Sequence, residues 1–162
     1  MGTERFVKIV NTFGGAFLHV CNECGLNVSL VKSSVKAGVA AEGSCLAALV
    51  GIVGSVRGTA VVLLNKEGFA SVVSGMTGGM LTADIDDPVS TSVLGELVNM
   101  VCGRALVSGG IEGAEVTPPH MVVGTNIRNV PATSPGMTSF TLPFDVAPGG
   151  TAFLVLALQG EE

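Results

Sequence analysis

The chain has no tryptophan and no tyrosine, and only seven phenylalanines. Its core therefore has to be built from aliphatic side chains and phenylalanine. Charge is also scarce: Asp, Glu, Lys and Arg make up 13% of the 162 residues, and the net charge is -5. No lysine–arginine cluster stands ready to neutralise phosphates, which argues against a nucleic-acid surface. No basic segment followed by an apolar run opens the sequence, so no secretory signal is expected. Charges or prolines interrupt every apolar stretch before it reaches the roughly 20 residues of a membrane span. The expected location is the cytoplasm, and no membrane span is expected.

Cysteine is sparse in the same informative way. Cys21, Cys24, Cys45 and Cys102 are the four present, and in a cytoplasmic protein they are expected as free thiols. Cys21 and Cys24 form a Cys-x-x-Cys pair with His19 just before it. No second pair completes a four-ligand zinc site, and the pair closes a helix where a redox motif would open one. A redox or zinc module remains a third reading for this segment. His120, in Thr-Pro-Pro-His, has no acidic or nucleophilic neighbour in sequence and reads as a strand or loop residue. No Ser/His/Asp or Cys/His set offers a nucleophile, and no metal site or cofactor is expected on this chain.

What is present is a strong alternation of helix and strand signals, on a length that suits one domain spanning residues 1–162. Residues from about Thr3 to Glu23 read as a helix whose buried stripe is Phe6, Ile9, Val10, Phe13, Phe17 and Val20. Thr3 is its expected N-cap and Gly25 its stop. Leu26–Val35 reads as a strand, Leu46–Val56 as a buried strand, and Thr59–Leu64 as its hairpin partner. A helix follows from Lys66 to about Met76 and ends at Thr77-Gly78-Gly79. Val116–Gly124 reads as a strand that Pro118-Pro119 restricts to an edge or a bulge. Gly124–Gly136 reads as an irregular loop, Met137–Val146 and Thr151–Gln159 as strands, and Gly160-Glu161-Glu162 as a polar tail.

The stretch with chemical content lies between the turn at Gly78-Gly79 and the strand at Val116. An acidic connector, Asp84–Asp87, leads into a long amphipathic helix that is expected to start near Asp86 or Asp87 and run to about Val107. Pro88 suits a first helical turn, and the aspartates favour the positive end of the helix dipole. Val89, Val93, Leu97, Met100 and Val101 are spaced as one buried stripe. Ser92, Glu96, Asn99 and Gly103 then fall on the outward face, with Glu96 and Asn99 one turn apart. On spacing alone these are ordinary solvated residues. A partner's backbone has room to come close over Gly103, which carries no side chain.

The string Gly95-Glu96-Leu97-Val98-Asn99-Met100, followed by Gly103 and Ala105, resembles the signature of the CheC/CheX/FliY family of chemotaxis phosphatases. That family carries Glu-x-x-Asn on a long surface helix. The resemblance implies dephosphorylation of a phosphorylated CheY-like response regulator, with Asn99 positioning the attacking water and Glu96 pairing with the regulator's lysine. Ser92 and Gly103 are the expected binding residues beside them. Mg²⁺ is then expected on the partner. A carboxamide suits the task because it both donates and accepts hydrogen bonds at neutral pH. The alternative within the same family is a docking or adaptor protein that binds a response regulator or flagellar switch component without catalysis. A homodimer joined sheet edge to sheet edge is compatible with the apolar strands.

An internal repeat underlies this order. Gly58-Thr59-Ala60-Val61-Val62-Leu63-Leu64 resembles Gly150-Thr151-Ala152-Phe153-Leu154-Val155-Leu156. Lys8-Ile9-Val10-Asn11 with Gly15 resembles Glu96-Leu97-Val98-Asn99 with Gly103 at nearly the same offset. The expected fold is α+β: two pseudo-symmetric halves, roughly 3–77 and 86–159, each a helix then three strands, in one mostly antiparallel sheet with the long helices on one face. The first copy keeps the amide, Asn11, but has Lys8 where the second has Glu96. A lysine there would repel a partner's lysine, so one working site is expected, on the second helix, as in a CheX-like member.

Overall fold

The computed structural model describes residues 2–37, 43–128 and 135–159. The first helix, α1 (Thr3–Glu23), buries the predicted stripe of Phe6, Ile9, Val10, Phe13, Phe17 and Val20. Its N-cap is Gly2 with no side-chain hydrogen bond, so Thr3 is the first helical residue and not the cap. Its end is closed by chemistry legible in the sequence. Gly25 takes φ +74 just past the helix, its N–H donates to Asn22 O, and the Leu26 N–H donates to Cys21 O. That pair of bonds satisfies carbonyls the helix itself leaves open.

The expected strand at Leu26–Val35 is broken. Strand β1 (Val28–Leu30) is followed by a 3-10 turn at Lys32–Ser34 and then by the two-residue β2 (Lys36–Ala37). Next come β3 (Ser44–Gly54), β4 (Gly58–Leu64), helix α2 (Lys66–Thr77) and helix α3 (Pro88–Ser108). The expected strand at Val116–Gly124 is likewise two strands, β5 (Ala114–Val116) and β6 (His120–Ile127). The break falls at Pro118-Pro119, where missing N–H groups cannot serve a ladder. Strand β6 also extends into the expected loop, whose residues 129–134 lie outside the described residues, as does the tail Gly160-Glu161-Glu162. Strands β7 (Met137–Val146) and β8 (Gly150–Gln159) complete the chain.

All pairings are antiparallel, in the order β1-β7-β8-β4-β3-β5, with β2 also on β7 and β6 also on β3. The two hairpins, β3–β4 and β7–β8, meet at the β4–β8 pair. The shift that carries Gly58 onto Gly150 also carries Val62 onto Leu154, and these two residues face each other across β4 and β8. The centre of the repeat is thus a directly opposed pair. The short strands are exchanged: β1 and β2 of the first half pair with β7 of the second, while β5 and β6 pair with β3 of the first. The fold is the expected α+β arrangement, with the strand after each long helix split in two.

Alternate residues of the central strands, Leu46, Ala48, Val50, Ala60, Val62, Leu64, Leu154 and Leu156, join the helices in the main core. Phe17 and Phe144 meet there with ring centroids 4.5 Å apart. A smaller cluster of Ala47, Val61, Leu63 and Val155 sits on the other face of the sheet.

Two thiols lie inside this core. Burial pushes Cys21 and Cys102 from 9.0 up to about 12. Below pH 9 both states hold these protons, and the contribution to stability is intact. Between pH 9 and about 12 the unfolded chain releases protons that the folded chain keeps. Stability then falls by about 1.4 kcal/mol per pH unit per thiol. In reducing buffer, the urea midpoint is expected to drop steadily above pH 9, and the Cys21→Ala/Cys102→Ala variant to lose most of that slope. An undiminished slope in the variant would assign the drop to other groups.

Candidate active-site groove on helix α3

Helix α3 starts where the acidic connector and Pro88 predict. Asp87 is its N-cap, and its Oδ1 accepts the Val89 N–H at 3.0 Å. The buried stripe is rotated from the expected one. Leu97 and Val101 are inside as expected, but Val89 is 59% exposed and Met100 38% exposed. The buried face is Ser90, Thr91, Leu94, Gly95, Leu97, Val98, Val101, Cys102 and Ala105. The helix is apolar on more than one side, so hydropathy alone does not choose the inward face. Small residues choose it, because they let the sheet come close.

Gly95 is the clearest instance. A Cβ at this position would lie 3.2 Å from Pro119 Cγ and 3.3 Å from Met121 Sδ. Glycine in a helix interior costs about 1 kcal/mol relative to alanine, so its presence asks for a reason. Here the reason is the close approach of the β5–β6 segment. That segment forms one wall of a groove on α3.

The opposite wall is the end of α2 and the connector after it. Asn65 caps α2: its Oδ1 accepts from Gly68 N at 2.8 Å and from Thr151 N of β8 at 2.9 Å. Gly78, at φ +60, ends α2 as the sequence predicts and turns the chain back. Thr77 Oγ1 accepts from Leu81 N at 3.2 Å. Ser90, wholly buried, accepts from Asp84 N at 2.9 Å and so ties the connector to α3. Ser90 and Gly95 carry no charge or apolar bulk, which is why a search for chemistry-bearing residues passes over both.

Between these walls the groove holds about 590 Å³. Glu96 is exposed and Asn99 half-exposed, and both line it. Neither side chain has a hydrogen-bond or ion-pair partner among the described residues. Among the described residues Glu96 is the only ionisable one that lines the groove, and no cation lines it. Ser92 lines it too, with its hydroxyl donating to Val89 O at 2.7 Å. Gly103 lies outside it, half-buried, with nothing within 4 Å of where a Cβ would stand. Arg104, next in sequence, is drawn away from the groove. Its Nη2 donates to Glu23 Oε1 at 3.2 Å and Oε2 at 3.0 Å, joining α3 to α1.

The first-half counterpart is built differently. Lys8 and Asn11 are exposed on α1 beside a shallow depression that Val7 also lines. Val7 stands where the second half has Gly95 and is 48% exposed. The first helix therefore lacks both the carboxylate and the glycine that admits a close wall. Elsewhere, His19 Nε2 lies 3.0 Å from Glu23 Oε1. Among the described residues no three His, Cys, Asp or Glu side chains come together as a metal site, the Cys21/Cys24 segment included.

A family model described as "Chemotaxis phosphatase CheX" matches residues 46–145, more than half of the chain. The chain belongs to the CheX family. It is 32% identical over 85 residues to the CheY-P phosphatase CheX of Thermotoga maritima, an alignment covering 51% of this chain and 54% of that protein. The chain thus spans about half the length of the curated CheX relative it matches. Solved structures extend the likeness of fold across the whole chain. A CheC-like superfamily protein from Shewanella sp. PV-4 superposes with a TM-score of 0.79 at 23% identity, covering 99% of this chain and 100% of that one. The CheX of a CheX–CheY–BeF3–Mg²⁺ complex from Borrelia burgdorferi gives 0.69 at 19% identity, covering 93% and 97%.

Proposed function

We propose that this chain hydrolyses the aspartyl phosphate of a CheY-like response regulator. The observation that carries the reading is the pair Glu96 and Asn99, side by side, with no partner and no lining cation among the described residues. A groove whose only charge among the described residues is a carboxylate repels a free phosphate ester. Its substrate has to bring compensating positive charge with it, and a receiver domain does so through its bound Mg²⁺ and its lysine. Family membership and the Borrelia CheX–CheY complex support the same partner.

In this reading the chain supplies no nucleophile. Asn99 enters the receiver's active site, where its amide holds a water in line with the scissile P–O bond, accepting from the water through its oxygen and donating through its nitrogen. Glu96 pairs with the receiver's lysine and sets the register of α3 against the partner. The gain comes from orientation, which can contribute several kcal/mol. Among the described residues no three carboxylate, histidine or cysteine groups come together, and in this reading the Mg²⁺ is carried by the partner.

The test is phosphate release from a CheY-like receiver phosphorylated in Mg²⁺, with and without the purified chain. Turnover well above the receiver's own rate is expected, with no hydrolysis of p-nitrophenyl phosphate. Binding without faster release would overturn the catalytic reading and leave an adaptor.

A further inference from the structure

We infer that this groove selects its partner by apolar contact: a receiver side chain beside the phosphorylated carboxylate seats between the end of α2 and helix α3. The inference rests on the receiver as partner, and it names what recognises it. Among the described residues Glu96 is the only charge that lines the groove, so ion pairing there supplies a single contact. Thr77, Ser92 and Asn99 add uncharged polar groups, and most of the remaining surface is aliphatic and thioether. Met76 and Leu81 form one wall, Pro119 and Met121 the other, and Val89 and Val93 the adjoining face of α3.

Isolated exposed apolar residues are common and need no explanation. A cluster of them in one groove, around Glu96 and Asn99, is a different observation. Leu81 is 37% exposed, and Met80 projects beside it almost fully exposed. Their placement is fixed. Gly78 and Gly79 both take positive φ to turn the connector back, Thr77 holds Leu81 N, and Ser90 holds Asp84 N. Gly95 brings Pro119 and Met121 against the helix from the other side. Methionines on two walls give a soft lining that adapts to a side chain of approximate shape. Any receiver that presents its phosphate to Asn99 has to cover this groove, because Asn99 is one of its lining residues. On α1 the corresponding depression has Val7 in place of the close wall, so the first half lacks a two-walled groove.

The test uses the full chain and a CheY-like receiver in two assays: dephosphorylation, and binding of the receiver loaded with beryllofluoride and Mg²⁺. In a Leu81→Gln/Val89→Gln variant, KM and Kd are expected to rise about tenfold, with kcat at saturation within about twofold of wild type. Val107→Gln serves as the control: Val107 is 82% exposed on the same helix and outside the groove. It is expected to change neither constant. Both variants should keep the wild-type melting temperature, since the replaced side chains are on the surface. Wild-type binding by the double variant overturns the groove, as does an equal loss in the Val107 control. Binding without turnover in the wild-type chain defeats the catalytic reading alone, and no binding by the wild-type chain defeats both.

Discussion

Replacing Asn99 with alanine is expected to lower kcat about a hundredfold, with the affinity for the phosphorylated receiver nearly unchanged. The size follows from what the amide does. It forms no bond with the described residues of its own chain, so its loss removes no support from the fold. Its contribution is confined to holding water in line, and misplacing a reacting group by about 1 Å can cost about a hundredfold. The effect should appear in kcat, because the rest of α3 still docks. Asn99→Asp separates geometry from chemistry. The side chain keeps its shape but loses its donor and sets a second carboxylate one turn from Glu96, against an anionic phosphoryl group. Its activity should be no higher than that of the alanine variant. The measurement is single-turnover dephosphorylation at saturating enzyme. Activity within a few-fold of wild type in Asn99→Ala would remove the amide from the mechanism.

Much of this site was legible in the sequence, and the parts that were not share a cause. The bounds of α1, α3, β7 and β8 follow from periodicity and from Gly25, the aspartates before Pro88, and Pro88 itself. The outward position of Glu96 and Asn99 also followed, although the stripe that predicted it was rotated. Val89 and Met100 are apolar and exposed, while Ser90, Gly95 and Cys102 are small and buried. Hydropathy ranks a residue by its own preference for water. It carries no information about how near another segment can come, and on α3 that nearness decides which face is inside. The same limit hid the groove. Its walls come from the end of α2 and from the start of β6, and no local pattern brings those segments together. The repeat was legible because similar strands stand on both sides of the β4–β8 centre. The exchange of short strands between halves was not, since it depends on long-range pairing.

Arg104 shows how a conspicuous residue is accounted for by its surroundings. It lies in the tail of the motif and has the only positive charge there. Its guanidinium bonds Glu23, which also receives His19, and so it fastens the end of α3 to the end of α1. That leaves Glu96 as the one charge on the groove face among the described residues.

Reversing that carboxylate should therefore have the largest effect on partner recognition. Glu96→Lys is expected to lower kcat/KM a hundredfold or more, mostly through KM, and Glu96→Gln about tenfold. The difference between the two is electrostatic. Glutamine removes an attraction, whereas lysine replaces it with repulsion between two ammonium groups in a partly water-excluded groove. Such charges about 4 Å apart differ by about 1 to 4 kcal/mol according to the local dielectric. The wild-type rate should fall with added salt, and the Glu96→Gln rate should be nearly flat. Glu96 is exposed and makes no ion pair among the described residues, so the melting temperature should be unaffected by either change. The chain contains its own version of the reversed site, with Lys8 one turn from an exposed Asn11 on α1. If the carboxylate is what admits the receiver, Asn11 never meets a phosphoryl group, and Asn11→Ala leaves kcat/KM at the wild-type value. A large loss in Asn11→Ala, or wild-type kcat/KM in Glu96→Lys, would show that the amide does not depend on its acidic neighbour.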